Sequence, residues 1–231
     1  MRFSYGAAEE RREERGWLEM NAKAVVDGLR FSTYVMTHPF KGFWELRREK
    51  RGNVLSATAI LFILIIILLF RRQWTGFIFN PNKVENLNLA IQVSSILLPF
   101  ILWCISNWCI TTLMDGEGNF TDIFITSAYA LVPLIIFNIP MVILSNAISL
   151  NEGMFYTLLD SLSILWTVML FLFGLMTVHQ FTMAKTIATA AIAIAGMIII
   201  VFLFLLFFAL VQQMINFIIV LYKELALRYD W

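Results

Sequence analysis

Leu61-Phe-Ile-Leu-Ile-Ile-Ile-Leu-Leu-Phe70 is ten consecutive residues without a polar side chain, and residues 54–70 around it carry no charge. A hydrocarbon core of about 30 Å takes roughly 20 apolar residues as helix, with about 17 as the lower limit. The stretch therefore reads as a short membrane span. Working outward, Leu87 to Met114, Phe120 to Asn146, Phe155 to Val178 and Ile187 to Val211 are each apolar, almost free of charge and long enough to cross. The expected fold is all-α: a polytopic bundle of five spans over 53–231, preceded by a cytoplasmic basic, amphipathic segment over 1–52.

Composition agrees. The chain is 60% hydrophobic and 14% charged, with mean hydropathy +0.78, against about 45–50% apolar and about 25% charged in soluble domains. The net charge of +1 conceals an asymmetry, because 11 of the 17 Lys and Arg precede Asn53. Basic residues beside a span stay on the cytoplasmic side, so Lys41, Arg47, Arg48, Lys50 and Arg51 predict a cytoplasmic N-terminus. Five spans then place the C-terminus outside a cell membrane. Arg71, Arg72 and Lys83 would lie outside and Lys185 inside, which the N-terminal excess outweighs. The charged opening, Glu9 to Arg15, has no apolar run before a small-residue cleavage site, so no cleavable signal is expected. Cys104 and Cys109 sit five apart on one helix and point different ways, so they cannot bridge each other and read as buried thiols.

The N-terminal segment has its own pattern. Trp17, Met20, Ala24, Leu29, Phe31, Tyr34 and Val35 repeat loosely as on a helix, until His38-Pro39 interrupts, since the residue before proline is pushed out of the helical region. A second short helix follows, with Phe40, Phe43, Trp44 and Leu46 on one side and Lys41, Glu45, Arg47, Arg48 and Lys50 elsewhere. Aromatics and cations beside a span suit a helix in the headgroup layer that attracts anionic lipid. Residues 38–51, with Pro39 and Arg51 among them, are thus the candidate lipid or partner contacts.

Within the spans, polar groups and helix breaks are the candidates for function: Pro99, Asn107, Tyr129, Pro133, Asn138 and Asn146, with Pro140, His179, Gln180, Gln212 and Gln213 beside them. No charged side chain is expected mid-span. Pro99 and Pro133, in spans joined as a hairpin, have the placement of paired broken helices in transporters. The amides otherwise read as interhelical hydrogen bonds, about 0.6 kcal/mol each. In the last span Ala184, Ala188, Ala191 and Ala195 recur at spacings of four, three and four, as in close helix contacts within a bundle or between two copies. A helix continuing to Tyr222 would run about 54 Å, projecting beyond one bilayer.

The polar loop Asp115-Gly-Glu-Gly-Asn-Phe-Thr-Asp122 carries three carboxylates, Asp115, Glu117 and Asp122. The spacing fails the EF-hand pattern, which needs Gly sixth and Glu twelfth. A tight hairpin turn capped by Asn119 or Thr121 is expected instead. No catalytic set, cofactor motif, metal set or nucleic-acid signature is present, so the chain does not read as an enzyme. The same loop, followed by Ala128-Tyr129-Ala130-Leu131-Val132-Pro133, resembles the core of the Yip family, the Ypt/Rab-interacting membrane domain. His38-Pro39-Phe40-Lys41-Gly42-Phe43-Trp44, Asn107-Trp108-Cys109 with Leu113, and Ser145-Asn146 with Glu152 are similar to members from Gram-positive bacteria. The resemblance covers about residues 35–225 and implies five spans with the N-terminus inside. Eukaryotic members resemble traffic adaptors that bind Rab GTPases. Bacteria lack Rabs, and similarity there implies an accessory membrane protein, such as one beside carbohydrate ABC-transport components. The implied function is a non-enzymatic scaffold or adaptor. The alternatives are a small transporter with a polar path through the second and third spans, and a lipid enzyme with a metal on the acidic loop.

Overall fold

The computed structural model describes residues 2–80 and 88–229. Lys83 and Leu87 lie outside the described residues, as do the side chains of Trp17 and Arg228. The described chain is helical: α1 (Arg2–Thr37), α2 (Pro39–Arg48), α3 (Val54–Trp74), α4 (Leu89–Leu113), α5 (Phe120–Ala130), α6 (Val132–Ala147), α7 (Gly153–His179) and α8 (Met183–Tyr229). Five apolar helical segments are long enough to cross a membrane, with α5 and α6 acting as one crossing of 28 residues. The protein is a multi-pass membrane protein.

Asparagine starts three of the helices. Asn53 Oδ1 accepts from Leu55 N at 3.4 Å, and Asn88 Oδ1 from Ala90 N at 3.0 Å. Asn119 makes a capping box with Asp122, whose carboxylate accepts from Asn119 N at 3.2 Å. Each cap satisfies donors that a helix start otherwise leaves open. α3 runs to Trp74 rather than ending at Phe70, which removes its apparent shortness. Arg71 and Arg72 occupy its last turn, where cations suit the negative helix end.

The two prolines of the predicted hairpin behave differently. α4 continues unbroken through Pro99, which is exposed. The third crossing does break, at Leu131, whose N–H bonds Ala128 O in a tightened turn at 3.2 Å. Pro133 follows, with no N–H to continue the ladder. Only one of the two spans is therefore discontinuous.

α3 packs on α1, α5 and α6, and α7 packs on α2, α5 and α6. Val35, Phe43, Ala57, Ile60, Ala128 and Tyr129 are fully buried between them. α8 rests chiefly on α4. The contact face is Thr186, Thr189, Ala190 and Ala193, all buried, with Ser106 Oγ donating to Ala193 O at 2.6 Å. Ala184, Ala188, Ala191 and Ala195 instead lie on the exposed side. Close packing uses small residues, as expected, but one step round the helix from the alanine repeat. α8 is 47 residues long, about 70 Å, and its large apolar residues from Ile198 to Leu225 are mostly exposed. Cys104 is buried, but Cys109 is exposed, because five helical positions carry it to the opposite side.

Candidate functional site

α1 and α2 form a helical hairpin that enters the bundle. His38 alone makes the turn, at φ −129° and ψ 68°, before Pro39 starts α2 with its preset φ. The backbone stays satisfied across the turn: His38 N donates to Tyr34 O at 2.9 Å and Gly42 N to His38 O at 2.7 Å. Gly42 sits so close to α1 that a Cβ there would lie 2.7 Å from Val35 Cα. Gly28 makes a second close approach, with a Cβ position 2.2 Å from Ser56 Oγ and 3.0 Å from Tyr129 Oη. Tyr129, in the stretch Ala128 to Pro133, thus sits under the α1–α3 contact.

The hairpin turn lies against the outer side of α7, short of its end. Trp166 Nε1 donates to Met36 O at 3.3 Å, and Trp166 lies 13 residues before His179, where α7 ends, about 20 Å along the helix. Phe40 packs on Phe173 with ring centroids 4.5 Å apart, and Phe43 is buried beside Gly174. The amphipathic second helix is therefore docked on α7. Phe43 and Leu46 face inward, while Phe40, Lys41, Trp44 and Arg48 are exposed. His38 is exposed and stacks on Tyr34 at 5.0 Å.

α2, the α4–α5 loop, the start of α3 and the α7–α8 connection converge on one end of the bundle, the basic end. Arg47 Nη2 donates to Glu117 Oε2 at 3.3 Å and to Glu117 O at 3.1 Å. Gly118 N donates to His179 Nδ1 at 3.3 Å. A Cβ on Gly116 would be 2.6 Å from that nitrogen, and one on Gly118 would be 2.5 Å from Val178. The two glycines let the loop lie flat on buried His179. Lys185 Nζ donates to Met114 O at 2.8 Å and sits 4.1 Å over the Phe181 ring, which satisfies a carbonyl at the end of α4. Arg51 pairs with Glu45 at 3.1 Å and Glu49 at 3.0 Å.

The acidic loop residues are dispersed among structural tasks. Glu117 holds Arg47, Asp122 caps α5, and Asp115 adopts φ 57° where the chain leaves α4. No group of three metal-ligating side chains occurs among the described residues.

A cavity of about 510 Å³ opens at the basic end, with Arg47, Arg48 and Lys50 facing Asn53, Asn119, Asp122 and Thr126. Two buried polar atoms of its lining residues, Arg47 Nη1 and Thr126 Oγ1, have no hydrogen-bond partner among the described residues.

The intramembrane amides do not meet. Asn138 Oδ1 accepts from Arg71 Nη1 at 2.8 Å, and Asn146 Nδ2 donates to Trp74 O at 2.8 Å, both bonds joining α6 to α3. Asn107 lies in the half of α4 nearer the basic end, fully buried, with neither side-chain polar atom paired among the described residues. None of the cavities at the two ends or between α3 and α4 is lined by these amides.

The charge missed by sequence reasoning is Asp160. It lies inside the fourth apolar stretch, and its Oδ1 is 3.0 Å from Arg71 Nη1. Tyr156 completes the cluster, its hydroxyl accepting from Arg71 Nη2 at 3.3 Å. A single Asp in an otherwise apolar span was the available signal. Arg72 bonds Gln92 nearby.

A family model described as the Yip1 domain matches residues 33–220, and the chain belongs to that family. Comparison with curated proteins and with solved structures gives no match. The matched region begins inside α1 and takes in the hairpin turn, all of α2, the first four crossings and the fifth as far as residue 220.

Proposed function

We propose that this Yip1-domain protein is a non-enzymatic membrane scaffold or adaptor of the cell membrane, with the basic end cytoplasmic and the end of α8 outside. One observation carries the reading. The docked α1–α2 hairpin holds an aromatic and cationic edge, Phe40, Lys41 and Trp44, exposed at a fixed place on the bundle. A rigidly held exposed patch presents a surface without ordering cost on binding, and Trp is an enriched anchor residue at interfaces. The polar groups of the spans support the same reading, because Asn138, Asn146, Arg71 and Asp160 join helices to one another.

The orientation follows from charge. Lys41, Arg47, Arg48, Lys50 and Arg51 gather at the basic end with Lys185, against Arg71, Arg72 and Lys223 toward the other among the described residues. Basic residues beside spans mark the cytoplasmic side. The partner proposed is another membrane protein, such as a transport component, and no nucleic acid. Pairing of two copies through the exposed face of Ala184, Ala188, Ala191 and Ala195 is a separate proposal, read by the mass of the purified particle.

Affinity purification from native membranes in mild detergent tests the scaffold. Wild type should retain a stoichiometric partner, and the double variant Lys41→Gln/Trp44→Ala should lose it while keeping its thermal stability. Recovery of the protein alone from both preparations would refute the reading.

A further inference from the structure

We propose that the cavity at the basic end is a phosphate-binding site, taking the phosphate of a lipid headgroup or of a soluble phosphate ester. The proposal deepens the scaffold reading by naming a ligand for the same N-terminal segment.

Charge is the first argument. Arg47, Arg48 and Lys50 line the cavity, and Asp122 is the one acid among its lining residues. Asp122 is already engaged, since its carboxylate caps Asn119 N at 3.2 Å. Neither Arg48 nor Lys50 makes an ion pair among the described residues. Arg47 uses Nη2 on Glu117, at 3.3 Å, and leaves Nη1 buried and unbonded. A buried donor without a partner is costly, more so when charged. A phosphate oxygen in the cavity would supply the missing acceptor on a turn of the Arg47 side chain toward it, and guanidinium groups match its geometry.

The second argument is the unpartnered hydroxyl. Thr126 is 5% exposed, lies between this cavity and a small one of about 10 Å³ beside His179, and its Oγ1 has no partner among the described residues. The buried Thr111 and Thr167 return their hydroxyls to a carbonyl one turn back, at 2.8 and 2.9 Å. Thr126 departs from that habit at the cavity wall.

Backbone placement is the third. α3 and α5 both begin at the rim, at Asn53 and Asn119, so two positive helix ends reinforce the three cations. Lys50 holds φ 51° in the connection to α3, a left-handed conformation unfavourable for a side-chain-bearing residue. Strain of this kind collects at ligand sites. The volume of about 510 Å³ lies within the range of small-molecule sites, room enough for a phosphate with the group that carries it. Because two spans start there, the rim lies at the depth of lipid headgroups.

The test uses the full-length protein in a neutral detergent, with the thermal midpoint followed against three probes: short-chain phosphatidic acid, diacylglycerol of the same chain length, and inorganic phosphate. Saturable stabilisation by phosphatidic acid, with none from diacylglycerol, is expected. An equal effect of inorganic phosphate also supports the site and assigns the soluble source; an effect of the lipid alone assigns the headgroup. Arg48→Gln/Lys50→Gln should weaken the apparent affinity by roughly tenfold or more, as loss of charge-assisted bonds implies. Thr126→Val should weaken it by a smaller factor without lowering the ligand-free midpoint. Lys23→Gln/Arg30→Gln, exposed cations of α1 outside the lining, should leave it unchanged. Absence of stabilisation by both phosphate probes would overturn the proposal. So would wild-type affinity in Arg48→Gln/Lys50→Gln, or an equal loss in the α1 control. The readout needs no partner protein, so its failure is distinct from failure of the scaffold reading.

Discussion

Replacing Asp160 with Asn should destabilise the bundle more than any neutral-for-charged exchange on its surface. Arg71 reaches Asp160 at 3.0 Å, Asn138 at 2.8 Å and Tyr156 at 3.3 Å. Asp160→Asn keeps the side-chain volume and removes only the charge. Breaking a fully buried pair from one side costs about 3–5 kcal/mol. Here the two side chains keep 27% and 33% of their exposure, and Arg71 retains Asn138. The loss is therefore nearer that of a hydrogen bond to a charged group, about 1.5–3 kcal/mol. Detergent-denaturation midpoints of wild type, Asp160→Asn, Arg71→Met and the double variant form a cycle that isolates the pair. The double variant should be less damaged than the sum of the singles, since it leaves neither charge stranded. A single variant within about 0.5 kcal/mol of wild type, or strict additivity in the cycle, would refute the argument that this pair couples α3 to α7.

Gly42→Ala should open the α1–α2 hairpin, because its Cβ would lie 2.7 Å from the Val35 backbone; faster proteolysis between α1 and α2 checks this, and an unchanged cleavage rate would contradict the close crossing. Cys109, exposed on α4, should react with a membrane-permeant maleimide in the folded protein, whereas buried Cys104 reacts only after unfolding; equal labelling would show that α4 is rotated from this placement.

Much of the architecture is legible in the sequence because membrane spans are specified by length and apolarity alone. Each expected crossing overlaps an observed one, and asparagine caps sit at Asn53, Asn88 and Asn119. Helix rotation is less legible. Lipid is as apolar as a protein core, so hydrophobic periodicity does not tell inside from outside. The alanine repeat therefore marks the exposed face of α8 rather than its contact with α4, and Cys109, expected to be buried, lies on the exposed side of α4. The docked hairpin was hidden for a related reason. Phe40, Phe43 and Trp44 suit a headgroup layer and a protein groove equally well, and only the glycines Gly28 and Gly42, unremarkable in sequence, permit the close crossings. Asp160 was overlooked because one carboxylate scarcely lowers the mean hydropathy of a 27-residue helix, although its partner Arg71 is 89 positions away and invisible to any local pattern.

The glycine-bearing loop that carries the family resemblance gains a physical meaning from this placement. Gly116 and Gly118 have negative φ among the described residues, where only Lys50, Asp115 and Gln180 are positive. They are thus required by space rather than by conformation. Side chains there would collide with His179 and Val178, lifting the loop from α7. Lifting it would withdraw Glu117 from Arg47, and with it the fixed position of α2. A loop that reads as a turn between spans is therefore also the clamp on the N-terminal hairpin. Such a clamp couples whatever binds Arg47 or the cavity beside it to the seating of α2. The coupling runs through the one charge pair of 3.3 Å between Arg47 and Glu117, since Arg47 also lines the cavity.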